Sequence, residues 1–581
     1  MDNRVISNIF KEIAVYLEMQ DDFFRARAYE KVAEVLDGLE EDVVKTYKKG
    51  GLKALEEIPG VGLSIAEKIE ELIKTGHLKY YEQLKKKMPV ELGELGRVEG
   101  LGPKGIKKLY QKLKIKNLKE LETAAKSGKI GKLEGFGQKS EQNILKSIEF
   151  LNKSGGRFVL GHIINKINEI ESRLKKIEGV KKVIAAGSVR RRKETVGDAD
   201  ILVAIDEKKY KSAADKITNF FISMPEVVRV SARGITKSSV KLENGLDVDL
   251  RIVPKKSYGA ALSYFTGSKD HNVALREIAV KKGWKLNEYG LFAGENMIAG
   301  KTEEEIYQKL GMDYIDPELR EMTGEIEAAI NHKLPSLIGY ADLKGDLQVQ
   351  SDWTDGSDSI EEIANAAIKA GFEYVAITDH TKRLAMTRGL DEKKIQKQWV
   401  EIDRVNRKLR IAGRKFKVLK GTECDILKDG SLDLPDKILS KLDVVGVSIH
   451  SLFNLSLKEQ MERIKKALSN PNVDIFFHPT GRIINKREAY QVDIEELIKL
   501  AKEKNVILEI NAYPDRADLK DEYIRKCVDG GVKMAIDSDA HSVNHFAYLE
   551  FGIAQARRGW ATKNDVINAW PLEKMLKFLK D

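Results

Sequence analysis

From about Leu343 onward, short apolar runs alternate with stretches of helical periodicity: YVAITDH, FKVLKGTE, DVVGVSIH, VDIFFHP, VILEIN and VKMAIDSDAH. Strands separated by helices pair in parallel, because each crossover helix returns the chain to the same end of the sheet. The pattern predicts parallel β/α units closing into a barrel. Polar residues end each run, at the strand end where such barrels carry their chemistry. The rest of the chain reads differently, and 581 residues exceed what one core supports.

Residues 1–150 are almost wholly helical in pattern and contain an internal repeat: Ile58-Pro-Gly-Val-Gly62, Val98-Glu-Gly-Leu-Gly102 and Leu133-Glu-Gly-Phe-Gly137. The glycine pairs Gly60 and Gly62, Gly100 and Gly102, and Gly135 and Gly137 allow a tight turn into the next helix. The first amides of that helix then point outward, where they can hold a phosphate. Seven lysines and no acid lie between Pro103 and Lys119, a candidate phosphate track. Gly100-x-Gly102-x-x-Gly105 also fits a dinucleotide fingerprint, but no strand precedes it and no βαβ unit surrounds it. A net charge of +10, with 33% charged residues, suits a polyanionic partner. Only Cys424 and Cys527 are present, which argues against a disulfide framework and fits a reducing cytosol. The first twenty residues lack the apolar core of a signal peptide, and no apolar run is long enough for a membrane span.

Residues 155–255 mix helical stretches with strand-like runs such as ADILVAI and LDVDLRIVP. Between the first strands lies GSVRRRKETVGDAD, residues 187–200. Gly187 and Ser188 follow a strand, so their amides and the hydroxyl can meet a phosphate. Arg191 offers a planar fork for phosphate oxygens. Asp198 and Asp200 are two apart on a strand, so both carboxylates face one side and can bridge a pair of Mg²⁺ ions. Asp247 and Asp249 on a later strand offer a third carboxylate, and a two-metal site stabilises both the attacking and the leaving oxygen.

This signature resembles that of the family X DNA polymerases, the polymerase beta relatives. Two further stretches carry the resemblance: VDLRIVP, which selects Asp249 over Asp247 as the third catalytic carboxylate, and YFTGSKDHN, residues 264–272. The resemblance implies that Ser188, Arg191 and Gly197 hold the triphosphate. It places Tyr264, Phe265 and Gly267 against the incoming sugar and base, with Tyr264 excluding a ribose 2′-hydroxyl. Asn272 would reach the minor-groove edge of the new pair and Arg276 the template strand. The three hairpins resemble helix-hairpin-helix modules, which grip DNA backbones without reading sequence. Lys68 aligns with the family lysine that attacks a 5′-deoxyribose phosphate, while Ser64 replaces a neighbouring phosphate-binding lysine.

Residues 341–575 resemble the PHP domain of bacterial and archaeal members, a distorted β/α barrel with a trinuclear metal centre linked to 3′-5′ exonuclease and abasic-endonuclease activity. Asp355, His380, Glu423, His450, His478, Asp539 and His541 stand at its ligand positions, and four of the chain's nine histidines are among them. The family's opening His-x-His reads Gln348-Val-Gln350 here. A neutral amide is a poor ligand for Zn²⁺ or Mn²⁺ beside imidazole or carboxylate, so the nuclease is expected to be weakened.

The expected fold class is therefore multidomain α+β and α/β. Residues 1–85 form a helical, lyase-like DNA-binding unit with the first hairpin, and 86–154 a helical unit with the second and third. A nucleotidyltransferase palm spans 155–254, a small α+β thumb that selects the dNTP 255–315, a linker 316–340 and the PHP barrel 341–575. The expected activity is Mg²⁺-dependent (Mn²⁺ possible) filling of short gaps in primer-template DNA from dNTPs during base excision repair, by a cytoplasmic, nucleoid-associated monomer. Rival readings are a nucleotidyltransferase acting on RNA or a small molecule, a metal-dependent phosphoesterase with a DNA-binding N-terminal half, and a non-catalytic DNA-binding scaffold.

Overall fold

The computed structural model describes residues 3–39, 42–96, 98, 100–153, 156–206, 210–384 and 387–580. Its first nine helices, Asn3–Met19 to Gln138–Lys153, bury one continuous apolar cluster running from Ile6 to Leu151. The two helical units expected on either side of residue 85 thus share a single core. Gly60, Gly100 and Gly135 have φ of +79°, +78° and +81°, values open to glycine at no steric cost. Gly62 and Gly102 then enter the helices Leu63–Thr75 and Pro103–Leu113 without any side-chain cap on the first amides. Glu99 of the second hairpin lies outside the described residues.

The palm is a five-stranded sheet in the order Val180–Ala185, Asp198–Ile205, Asp247–Pro254, Lys237–Leu242, Val227–Ala232. The strands Asp198–Ile205 and Asp247–Pro254 run parallel, and the other pairings are antiparallel. The run Ile-Leu-Val-Ala-Ile is continuous because both faces of the sheet are covered. Ile201, Val203 and Ile205 pack with the helices Leu160–Lys175 and Tyr210–Ile222, while Leu202 and Ala204 pack with Tyr258, Ala261 and Leu262.

Three short antiparallel strands and the helices Tyr258–Thr266, Lys269–Lys281 and Glu303–Leu310 make the thumb. The segment expected as a linker packs into that thumb. Leu319, Ile326 and Ala329 join the cluster of Leu275, Leu291 and Ile306. Arg320 is fully buried and donates to Glu303 at 2.6 Å and to the Ile315 carbonyl at 2.9 Å.

Seven parallel strands follow one another in chain order from Gly345–Val349 to Met534–Asp537. A bridge between Val349 and Ala540 brings the last strand against the first, as barrel closure requires. The first strand, Gly-Asp-Leu-Gln-Val, escapes the six-run sequence pattern because Asp346 and Gln348 interrupt its apolar character. Leu572–Lys580 extends the domain past residue 575 and seats Met575 against Leu347 and Ile507.

Candidate active sites

In the palm, the parallel register sets Asp200 opposite Asp249 and Asp198 opposite Asp247. Burial, then the charges of Asp198 and Asp249, push Asp200 up to about 6. Such a like-charge cluster is suited to divalent cations, and the donor set is all carboxylate, as Mg²⁺ prefers. Asp247 is engaged by Lys241 at 2.8 Å, while Lys237 reaches Asp249 at 2.9 Å. Gly187 is required here: a Cβ on it would lie 2.7 Å from a carboxylate oxygen of Asp200.

A pocket of about 360 Å³ joins these carboxylates to the rest of the signature. Gly187, Ser188, Arg191, Asp198 and Asp200 line one side, and Tyr264, Phe265, Gly267, Asn272 and Arg276 the other. The Asn272 amide donates to the Tyr264 carbonyl at 2.6 Å, and the Tyr264 and Phe265 rings meet edge to face. Asp249 borders the carboxylate cluster rather than the pocket, and Gly197 lies beside Arg157 instead. Arg190, one residue before Arg191, turns inward. It donates to Thr266 and forks onto Glu303 at 3.0 and 2.6 Å, tying palm to thumb.

Arg191 is held from outside the palm. Its Nε donates to Glu321 at 2.8 Å and its Nη1 to the Thr266 carbonyl. The PHP helix Leu549–Arg558 brings Arg558 to the same point, donating to the Arg191 carbonyl at 3.0 Å and to Glu321 at 3.2 Å. Burial opposes the charge on Glu321, yet Arg558 and Arg191 hold it below the ordinary carboxylate range. Farther along the loop, Glu194 accepts two hydrogen bonds from Arg482 of the PHP domain, at 3.0 and 2.6 Å.

Lys68 sits one turn after Ser64 and donates to its carbonyl at 2.8 Å and its hydroxyl at 2.9 Å. Partial burial lowers its ammonium pKa, the direction a Schiff-base nucleophile needs.

In the barrel, Asp355, His380 and His541 converge, as do His380, Glu423 and His450. Within each group the ligand atoms lie within 4.8 Å of one another. Both donor sets fit a borderline or hard divalent ion. Around Gln348 and Gln350 the fit fails. Gln350 donates its amide to Glu423 at 2.9 Å, and Asn511 donates to Gln348 and Asp539, at 3.3 and 3.2 Å. Arg516 pairs with Asp539 at 3.3 Å. Donor hydrogens and a guanidinium thus face the carboxylates that a third cation would share. Among the described residues, His478 and Asp539 lie outside both convergent groups, and His478 bonds Glu423 at 2.8 Å.

Comparison with known proteins bears on the whole chain. Residues 1–78 match a helix-hairpin-helix domain, 92–149 a SAM-like helix-hairpin-helix tandem, 261–321 the DNA polymerase beta thumb and 346–513 the PHP domain. The DNA polymerase/3′-5′ exonuclease PolX of Bacillus subtilis (strain 168) is 37% identical over the full length of both chains. The chain is a family X DNA polymerase with a PHP domain. A DNA polymerase lambda of Arabidopsis thaliana is 25% identical over 55% of this chain and 62% of its own. A probable phosphatase of Thermoanaerobacter sp. (strain X514) is 30% identical over 38% of this chain and 88% of its own.

Sequence reasoning did not assign Lys237, Glu321, Arg482 or Arg558 to this polymerase's palm. The first sits on a strand as an ordinary solvated lysine would. The other three act across domains, and local pattern carries no signal for that. No described helix is long and apolar enough to cross a membrane.

Proposed function

We propose that this polymerase fills short gaps in DNA by template-directed addition of dNTPs to a primer 3′-hydroxyl. The observation that carries the reading is the in-register set Asp198, Asp200 and Asp249 beside the pocket of Ser188, Arg191 and Tyr264. Asp198, Asp200 and Asp249 would hold Mg²⁺ ions, which supply charge stabilisation for the attacking hydroxyl and the leaving pyrophosphate. Ser188 and Arg191 bind the triphosphate through hydrogen bonds and an ionic fork. Asp249 receives the proton of the 3′-hydroxyl. Tyr264 and Phe265 wall the sugar, Asn272 reads the base-pair edge, and Arg276 steadies the template. The hairpin glycines at 60 and 62, 100 and 102, and 135 and 137 present backbone amides to DNA phosphates. Lys68 supplies a lyase nucleophile, with Ser64 rather than a second cation beside it. The enzyme acts as a monomer in the cytoplasm.

The PHP centre carries a second reading, because two ligand groups survive intact. Asp355, His380, His541, Glu423 and His450 would hold Zn²⁺ or Mn²⁺, supplying an activated water for phosphodiester cleavage. The replaced Gln pair makes that 3′-5′ exonuclease weak.

The reading is tested on a one-nucleotide gap with a 5′-phosphate, with each template base in turn and one dNTP at a time. Extension by the complementary dNTP alone supports it. Extension irrespective of template base, or on RNA only, points instead to a non-DNA nucleotidyltransferase.

A further inference from the structure

Between the second and third hairpins and the PHP barrel lies a cleft of about 1140 Å³. That exceeds the ~300–1,000 Å³ of ordinary small-molecule pockets. One wall is the hairpin pair, with Gly100, Gly102 and Gly135 at their turns and Lys104, Lys108, Lys139 and Lys146 around them. The opposite wall is two PHP loops, 453–455 and 486–491. These loops are continuous with segments that bear metal-site histidines. Phe453 follows His450 by three residues. Arg487 donates to the Gly481 carbonyl at 2.9 and 2.7 Å, and the Tyr490 amide to the Thr480 carbonyl at 3.1 Å, just after His478.

Charge and surface chemistry agree on the ligand. Among the described residues, six cationic side chains line the cleft against two acidic ones, Glu18 and Glu488, a net of +4. Two of the lining rings lie under these cations, Phe23 exposed and Phe453 half-buried. The Arg487 guanidinium lies 4.1 Å over Phe453, and the Lys104 ammonium 5.4 Å over Phe23, which is 48% exposed. Basic grooves with accessible aromatic rings bind single-stranded nucleic acid, phosphates on the cations and bases on the rings. A duplex offers no base face to such rings.

The cleft also has a direction. Phe23 opens the helix Phe23–Gly38, whose other end packs on the segment Val543–Tyr548 beside His541. Glu34, eleven residues on and so about 16 Å along the axis, lies where the charges of His541 and Asp355 act on it. One helix thus joins the mouth of the cleft to the surroundings of the PHP centre.

We propose that this cleft binds a single DNA strand and conducts its end from the hairpins to the PHP centre. Where the strand ends rests on the PHP reading above; that it binds does not. The test is therefore made on the full chain in EDTA, where a silent nuclease has no bearing. A labelled oligothymidylate is titrated against wild type and a Lys139→Glu/Lys486→Glu variant at several salt concentrations. Affinity is expected to fall about tenfold or more, and the salt slope by about 1.4, two contacts at roughly 0.7 each. Single-strand affinity within twofold of wild type overturns the proposal. Should the variant lose its native melting transition, wild type is photo-crosslinked to a thiothymidine-bearing oligonucleotide. Crosslinks to both 135–147 and 486–491 support the cleft; crosslinks to the hairpins alone, or to neither, overturn it.

Discussion

Where divalent cations are withheld, Asp200 is expected to sit in the palm at a cost to stability. Burial and the charges of Asp198 and Asp249 raise its pKa to about 6 from the ordinary 3.8. A carboxyl raised on folding destabilises where it is charged in the native state, above about 6, and the cost vanishes below the unfolded value. Asp200→Asn is therefore expected to raise the melting temperature of the EDTA-treated protein at pH 7.5 and to leave it nearly unchanged at pH 4. It should also abolish primer extension. Calorimetry at the two pH values checks the first point; a lower melting temperature at pH 7.5 would mean the carboxylates are not in conflict. Arg558 belongs to the same scale, although it comes from another domain. Through Glu321 and the Arg191 carbonyl it fixes Arg191, the residue proposed to bind the triphosphate. Arg558→Ala should raise KM for dNTP roughly fivefold to tenfold with a smaller change in kcat, the net size of one ordinary hydrogen bond, and Arg558→Lys should recover part of it. Equal losses in kcat and KM across both variants would reduce Arg558 to a packing residue.

At the scale of elements, what was legible depended on whether the signal was local. The palm strands are legible because DADILVAI and DVDLRIVP are apolar runs opened by carboxylates two apart, and the two strands lie in register. The hairpins were legible because glycine at positive φ leaves a pattern that repeats. Residues 316–340 read as a linker because Pro317 and Pro335 mark breaks, yet Leu319, Ile326 and Ala329 pack into the thumb cluster. What anchors the segment is Arg320, buried on Glu303 seventeen positions away. The barrel's first strand escapes the pattern because its polar residues face the centre, where Asp346 bonds Ser538 and, just past the strand, Gln350 bonds Glu423. The hairpin geometry yields its own prediction. Gly135→Val forces a β-branched residue to φ near +81°, an outlier costing on the order of 1–3 kcal/mol. Affinity for gapped DNA should fall in a filter-binding titration while palm activity at saturating DNA persists; unchanged affinity would remove the third hairpin from the DNA contact.

At the scale of the molecule, the PHP barrel serves the polymerase site as well as its own. Arg482 and Arg558 grip the palm loop 187–197 from the barrel side, and His162 of the palm meets Asp515. A barrel in which amides and Arg516 face Glu423 and Asp539 can still perform that bracing. Gln348→His/Gln350→His should add about one tightly held ion per chain by elemental analysis, relative to wild type, because imidazole outcompetes a neutral amide for Zn²⁺ or Mn²⁺. The same variant should shorten a labelled primer faster than wild type in Mn²⁺ without dNTPs. An unchanged metal content would mean that Arg516 and Asn511, rather than the glutamines, bar the ion. The most direct measurement concerns the palm itself. Wild type and Asp249→Ala are followed in single turnover on a labelled one-nucleotide gap with Mg²⁺ and the complementary dNTP. The in-register carboxylates predict extension by wild type and a loss of at least ~10³-fold in Asp249→Ala, with DNA affinity retained. Extension by Asp249→Ala at the wild-type rate, or none by wild type, would contradict a palm built on Asp198, Asp200 and Asp249.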